Sequence, residues 1–301
     1  MSMEYTIAHQ TTYYYADSVN ESYTVLHLQP RSDPHQFCTK FAIDVTPHAR
    51  INSYADRFGN DVQHFAILPP HDALSITTRS NVVTMLEHDP MPPFDATRAM
   101  LEADPKVERF YDFLHESSFV RFVDEGASFR AEFGDPGESL GVWCTNVMHR
   151  IHAAFSYDTD ATTVRTTVTE ALARRAGVCQ DFAHIMISVL RAAGIPARYV
   201  SGYIFRGESR VLGAEASHAW CEAYLPPYGW VGFDPTNDRA INDHFVKVAL
   251  GRDYRDVSPV RGVYRGGRQS EMSVNVAMDV LAGYQTPAPE ARRQQQPQQQ
   301  Q

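Results

Sequence analysis

The sequence predicts an α+β protein, an N-terminal antiparallel β-sandwich followed by an α+β core built around a cysteine. Three observations carry that prediction. Segments before residue 90 alternate apolar with polar residues or are rich in β-branched and aromatic types. Between residues 96 and 155 the apolar spacing changes to three and four. Beyond that, Cys179, His218 and Asp234 follow one another at a helix start and at the outer ends of two strand-like segments.

Residues 1–90 form the first domain. Strand patterns run over 4–15, 23–28, 37–45, 62–68 and 74–85, punctuated by turn signals at Arg31-Ser-Asp-Pro34, Phe58-Gly-Asn60 and Pro69-Pro70. Asp89-Pro-Met-Pro-Pro93 reads as a linker into the second domain, residues 91–286. There, Val107, Phe110, Tyr111 and Leu114 make one helical stripe, and Val142, Trp143, Val147, Ile151 and Phe155 another. A helix of roughly four turns begins near Cys179, with Phe182, Ile185, Met186, Val189 and Leu190 on its apolar side, and Gly194-Ile-Pro196 ends it. A strand is expected over 197–204, a hairpin over 217–225 and 229–234 around Pro226-Pro-Tyr228, and a last strand over 272–278. Residues 287–301, rich in Gln and Pro, are expected to be disordered.

The chemistry follows from residue types. A thiol attacks a carbonyl as the thiolate, and an ordinary cysteine with a pKa of about 8.5 is only a few per cent ionised at neutral pH. A helix N-terminus offers unpaired N–H groups and a positive dipole end, which favour an anion at Cys179 and let its own N–H serve an oxyanion. His218 and Asp234 are placed by register: if Tyr224 pairs with Tyr228, then His218 faces Asp234 directly, about 4.5–5.5 Å apart between Cβ atoms. The same count turns Cys221 to the opposite face, and a slip of one residue would invert every side chain.

These segments resemble a known family. Gly177-Val-Cys-Gln-Asp-Phe-Ala-His184, then 190–203, then Ser217-His-Ala-Trp220 and Gly229-Trp-Val-Gly-Phe-Asp-Pro-Thr-Asn237 are similar to the core of the transglutaminase-like superfamily in its bacterial branch. Tyr5 to Tyr13, Leu28-Gln-Pro-Arg31 and Asp56-Arg-Phe-Gly-Asn60 resemble the β domain that precedes that core, and residues 248–262 its closing segment. The resemblance implies a papain/transglutaminase-like α+β core and acyl transfer through a thioester on Cys179. His218 would take the thiol proton and return it to the leaving amine or ammonia, while Asp234 would hold the ring. Hydrolysis of a peptide or amide bond is the expected outcome, because water is always present whereas a crosslinker must also shield the thioester and dock an amine. Transglutaminase or deamidase activity with the same triad is the alternative, and an inactive scaffold or binding module is the non-enzyme one. Acyl transfer from a coenzyme thioester also uses this trio, but the sequence carries no nucleotide-binding motif for it. Rapid alkylation of Cys179 at about pH 6 to 7 separates the enzyme from the scaffold, whose thiol would titrate near 8.5.

Other residues invite weighing. Trp220, Tyr203 and Gln180 are candidate substrate contacts, with Arg206 beside Tyr203. Asp181 complements the helix dipole, and His184, about 140° round the helix from Cys179, reads as a packed histidine. His149 and His152 lie one helical turn apart without a third ligand, so no metal is expected, and no cofactor. Cys38, Cys144 and Cys221 read as structural, and the second oxyanion donor is left open.

Composition bounds the partners. The 301 residues carry a net charge of −9 and no basic stretch, which argues against nucleic acid. No segment is apolar for the roughly 18 residues that span a bilayer, and the N-terminus lacks the pattern of a secretory signal. Four cysteines without close pairing point to a reducing, cytoplasmic location. The expected partner is therefore a peptide or protein substrate, with no membrane contact; the oligomeric state is not fixed by sequence.

Overall fold

The structure is a computed structural model and describes residues 2–87, 90, 95–122, 131–134, 136, 137, 139–205, 207 and 217–282. The expected tail at 287–301, and Arg206, lie outside them. Two sheets organise the chain. The first holds β1 (Met3–Leu26), β2 (Gln36–Thr46), β3 (Asn52–Ala55), β4 (Asp61–Ile67) and β5 (His71–Thr84) in the order β2-β5-β1-β4-β3, with β13 (Val260–Gly266) and β14 (Gln269–Ala282) also paired to β1. The second holds β8 (Ala197–Ile204), β9 (His218–Leu225), β10 (Gly229–Asp234), β11 (Arg239–Ala240) and β12 (Phe245–Gly251) in the order β11-β10-β9-β8-β12.

The expected sandwich is instead one curled sheet, a half-barrel. The segments anticipated as strands over 4–15 and 23–28 are a single strand, β1, bent by register shifts near Asn20 to Tyr23. Its first half lies between β5 and β14, its second half between β4 and β13. One long strand therefore runs through both ends of the sheet. Tyr15, Val19 and Leu26 from β1 gather with Val45, Phe65, Ile67, Leu74 and Ile76 on one side as the sheet's own core. Strands β13 and β14, in the 91–286 segment where the sequence predicts one closing strand at 272–278, hydrogen-bond to β1.

Between the sheets in sequence lie α1 (Arg98–Ala103), a 3-10 helix (Pro105–Phe113), α2 (Leu140–Ala154), the short strands β6 (Ser156–Tyr157) and β7 (Ala176–Gly177), α3 (Val168–Arg174) and α4 (Cys179–Ala192). A final turn, α5 (Tyr254–Val257), precedes β13. The stripe expected from Val107 to Leu114 winds as the 3-10 helix, with Phe110 out of helical geometry and Tyr111 exposed. No helix among the described residues is long and apolar enough to cross a membrane.

Helix α4 is buried along twelve consecutive residues, Gln180 to Arg191, against β9, β8 and α2. It ends in a Schellman motif: Ile195 N–H reaches the Leu190 carbonyl at 3.0 Å and Gly194 N–H the Arg191 carbonyl at 2.9 Å, with Gly194 at φ +73°. The buried Arg191 guanidinium donates to the carbonyls of Ala197 (2.9 Å), His115 (3.0 Å) and Arg252 (2.7 Å), so the foot of the helix is tied to three segments. Burial pulls that guanidinium down to about 10, still charged at neutral pH.

The half-barrel docks on the core through apolar and polar contacts. Met3, Tyr5, Ile7 and Val82 enter the same cluster as α2, α4 and β9. Asn60, fully buried, accepts the Leu250 N–H at 2.9 Å and donates to the Leu250 carbonyl at 2.8 Å, acting as a one-residue strand partner. Replacing Asn60 with Ala leaves that buried peptide group unpaired, so urea unfolding should show a loss of roughly 2–4 kcal/mol. A loss below about 0.5 kcal/mol, the scatter of a neutral surface change, would mean that the bond does not hold the two sheets together.

Candidate active site

The turn into α4 is built to present Cys179. The parallel pair β6–β7 brings the chain to Gly177, Val178 takes the N-cap position, and Cys179 is the first helical residue. Asp181 N–H and Phe182 N–H both bond the Val178 carbonyl, at 2.9 and 3.2 Å. The N–H groups of Cys179 and Gln180 precede any intrahelical acceptor and remain as donors beside the sulfur. The cysteine is partly exposed, whereas His218 and Asp234 have no exposed side-chain surface.

His218 Nε2–H donates to Oδ2 of Asp234 at 2.8 Å. The other ring nitrogen, Nδ1, has no aligned hydrogen-bond partner among the described residues and is the one left for the neighbouring Cys179. Burial pushes the imidazole's pKa down, but the charge and hydrogen bond of Asp234 outweigh it, and the neighbouring Cys179 adds to the rise, reaching about 10. Asp234 is the mirror image: burial raises it, and His218 and its other donors bring the net shift below the ordinary carboxylate range. Those donors are the Thr236 N–H (3.0 Å) and Asn237 N–H (3.3 Å) on Oδ1, and the Asn237 side-chain amide (2.8 Å) on Oδ2. The pair is thus an imidazolium and a carboxylate held away from water.

The register that brings them together differs from the expected one by two residues. Leu225 pairs with Gly229, Tyr224 with Trp230 and Glu222 with Gly232, so His218 lies diagonal to Asp234 and not directly opposite. Gly229, at φ +80°, closes a three-residue loop of Pro226, Pro227 and Tyr228. Two residues is the side-chain period of a strand, so His218 and Asp234 keep a common face. Cys221 lies on the other face, in the core that includes Cys144, and burial pushes both thiols up.

Of the candidate substrate contacts, Trp220 is fully buried, tilted against His218 with centroids 6.3 Å apart and edge-on to Phe245 at 5.4 Å. Gly202 makes room for it: a Cβ there would lie 2.5 Å from the indole. Tyr203 sits between the sheets, its hydroxyl hydrogen-bonded to Nδ1 of His9 at 2.9 Å. Gln180 is buried and donates to the Val164 carbonyl at 3.3 Å. His184 is a packed histidine, stacked on Phe119, accepting the Tyr254 N–H at 3.1 Å and lowered by burial to about 4. His149 pairs with Asp238, and His152 Nδ1–H donates to the Thr236 carbonyl at 3.1 Å, so α2 braces the loop after Asp234. Among the described residues no three His, Cys, Asp or Glu side chains gather as a metal site.

Trp220 also lines a cavity of about 390 Å³ walled by Trp230, Ile241 and Phe245 together with Glu222 and Lys247. Neither Cys179 nor His218 lines it. Glu222 is held by Arg198 at 2.6 Å and Lys247 at 2.7 Å; burial raises its pKa, but these two cations prevail and bring it to about 2. The Asn237 brace is not anticipated from the sequence, and Asp181 is anticipated only as a complement to the helix dipole or a substrate contact. The signal for Asn237 was in the Asp234-Pro-Thr-Asn turn, whose acidic first residue bonds the backbone two and three positions on.

Residues 144–235 match the family profile described as the transglutaminase-like superfamily, and residues 5–83 match that of the bacterial transglutaminase-like N-terminal region. An uncharacterized protein of Mycobacterium tuberculosis is 33% identical over 296 residues, covering 92% of either chain. A candidate cysteine protease from Cytophaga hutchinsonii, solved as a crystal structure, shares the fold with a TM-score of 0.77 at 23% identity, over 95% of this chain and 93% of that one. A protein-glutamine gamma-glutamyltransferase of Pseudomonas aeruginosa is 46% identical over 68 residues, 21% of this chain and 10% of its own.

The His218 pKa has a consequence for stability. A group raised from 6.5 to about 10 on folding contributes fully below pH 6.5 and progressively less as pH climbs to about 10. The stability advantage of the native chain over His218→Asn, measured by urea titration, should therefore shrink across that window. A constant difference from pH 6 to 10 would show that the imidazole is not charged in the folded protein.

Proposed function

The chain belongs to the transglutaminase-like superfamily, and from that premise we propose that it is an enzyme of cysteine-dependent acyl transfer, acting chiefly as a hydrolase of peptide or amide bonds. The observation that carries this reading is the buried His218–Asp234 pair with Nδ1 of the ring left for a partly exposed cysteine at a helix N-terminus.

The roles follow from the geometry. The proton that the charged His218 carries on Nδ1 is the one given up by the Cys179 thiol, so the sulfur attacks the substrate carbonyl carbon as the thiolate. The C=O electrons move onto oxygen, and the first-turn N–H groups of Cys179 and Gln180 are the donors nearest to hand for that oxyanion. His218 then delivers the Nδ1 proton to the leaving nitrogen, the C–N bond breaks, and a thioester remains. Water attacks the thioester, loses its proton to Nδ1, and the C–S bond breaks to free the acid and restore the cysteine. Asp234 keeps Nε2–H engaged throughout, so the proton that moves is always the one on Nδ1.

The substrate class is a peptide or protein. Glutamine side chains are one member of that class, and the 68-residue likeness to a protein-glutamine gamma-glutamyltransferase supports a second reading in which an amine replaces water. Hydrolysis is favoured because the sulfur is partly exposed and water reaches it without a binding step.

Incubation with peptides containing Gln, Asn and isopeptide bonds, read by mass spectrometry with and without an added primary amine, distinguishes the outcomes. Fragments or a gain of one mass unit mark hydrolysis, and an amine adduct marks transfer. Cys179→Ala should abolish either, and Asp234→Asn should lower kcat by about a hundredfold or more by releasing the ring. Undiminished turnover by Cys179→Ala would falsify the assignment.

A further inference from the structure

Asp181 is a buried carboxylate that the acyl-transfer chemistry does not use. It sits two residues past Cys179 in the first turn of α4 and is 2% exposed. Its Oδ2 accepts the Val178 N–H at 2.8 Å and the Thr162 hydroxyl at 2.6 Å. Its Oδ1 is buried with no hydrogen-bond partner among the described residues. Gly177 is shaped around it, since a Cβ on Gly177 would lie 2.5 Å from Oδ2 and 2.8 Å from the Asp181 Cβ and Cγ.

This is more than a helix dipole asks for. A first-turn carboxylate favours the dipole equally well in water, where it carries no desolvation cost. Burial drives the Asp181 pKa up despite its hydrogen bonds, so the site costs stability as it stands. What the carboxylate achieves is geometric. It is the acceptor for the N–H of Val178, the residue immediately before Cys179, and through Thr162 it ties that N-cap to a segment 16 residues upstream of it. Val178 has no side-chain acceptor, so of the two reciprocal bonds of a capping box only the one from its own N–H to the N3 carboxylate of Asp181 is made here.

We propose that Asp181 is a positioning residue for Cys179: with Thr162 and the cleared space at Gly177 it locks the turn from β7 into α4, fixing the sulfur and the first-turn N–H groups in one arrangement. The proposal rests on the acyl-transfer reading of Cys179. It requires a hydrogen-bond acceptor of the right shape, not a charge. An asparagine can accept both bonds through its carbonyl oxygen, whereas alanine cannot, and an alanine at position 177 would push the carboxylate aside while leaving its chemistry intact.

The test is alkylation by iodoacetamide at neutral pH, followed for each cysteine by peptide mass spectrometry, in the native chain and in Asp181→Asn, Asp181→Ala, Thr162→Val and Gly177→Ala. The buried Cys144 and Cys221 serve as internal reporters of unfolding, and the partly exposed Cys38 as a reference thiol. Asp181→Ala and Gly177→Ala should slow Cys179 labelling at least about tenfold while Cys144 and Cys221 stay protected, with Thr162→Val intermediate and Asp181→Asn within about threefold of native. Native-like labelling of Cys179 in Asp181→Ala would overturn the proposal, as would Asp181→Asn falling as far as Asp181→Ala. If Asp181→Ala exposes Cys144 and Cys221, the folded Thr162→Val and Gly177→Ala variants decide by the same criterion. Native Cys179 labelling no faster than Cys38 would count against the acyl-transfer reading instead. The Val178 amide would then still test the lock, by exchanging faster with deuterium in Asp181→Ala but not in Asp181→Asn.

Discussion

An imidazolium and a carboxylate kept wholly out of water are costly unless every remaining lone pair and proton finds a partner. The His218–Asp234 pair meets that condition at every polar atom but His218 Nδ1, and much of the second sheet can be understood as meeting it. The Asp234 carboxylate is saturated by Thr236 and Asn237, which requires the tight turn after β10. The ring is walled by Trp220 and Phe245, which requires Gly202 to lack a side chain. Helix α2 then closes over the turn through His149 and His152. The single ring nitrogen without an aligned partner is the one on the side of the cysteine.

The half-barrel contributes to this arrangement from a distance. Asn60 mimics a strand neighbour for Leu250, Gln36 exchanges two hydrogen bonds of 2.7 Å with the Lys247 backbone, and His9 meets Tyr203 between the sheets. All three target strands β8 and β12, which flank β9 on the side away from β10. The half-barrel thus covers the edge of the sheet that carries His218, and it satisfies backbone groups that an isolated core would leave on an open edge.

Much of this was legible in the sequence, for identifiable reasons. Helix α4 announced itself because the apolar spacing from Phe182 to Leu190 and the Gly194 stop agree with each other. The common face of His218 and Asp234 was legible although their register was not, because the error was one full strand period. The loop geometry at Pro226 to Gly229 set that register, and the spacing of side chains alone does not encode it. The sandwich expectation failed because residues 16–22, polar and turn-like, read as a break, whereas the backbone passes through them as a bent strand. Tyr203 was placed near the cleft from its position at a strand end, but strand position does not say which layer lies above. The Asp181 lock was invisible for a different reason: Thr162 is 19 residues away with no periodic relation to it, and only tertiary structure brings such pairs together.

The pairing of the chain's last strand with its first has a consequence for biosynthesis. Strand β1 leaves the ribosome ahead of the cysteine-bearing core, yet two of its neighbours among the described residues, β13 and β14, are encoded by residues 260–282, after that core. The nascent chain must therefore carry a long, partly unpaired strand edge while the core between these strands is made, a surface to which other chains can add. The sheet gains these two strands only once residues 260–282 have emerged, which makes the cell's handling of unfinished chains part of how this fold is reached.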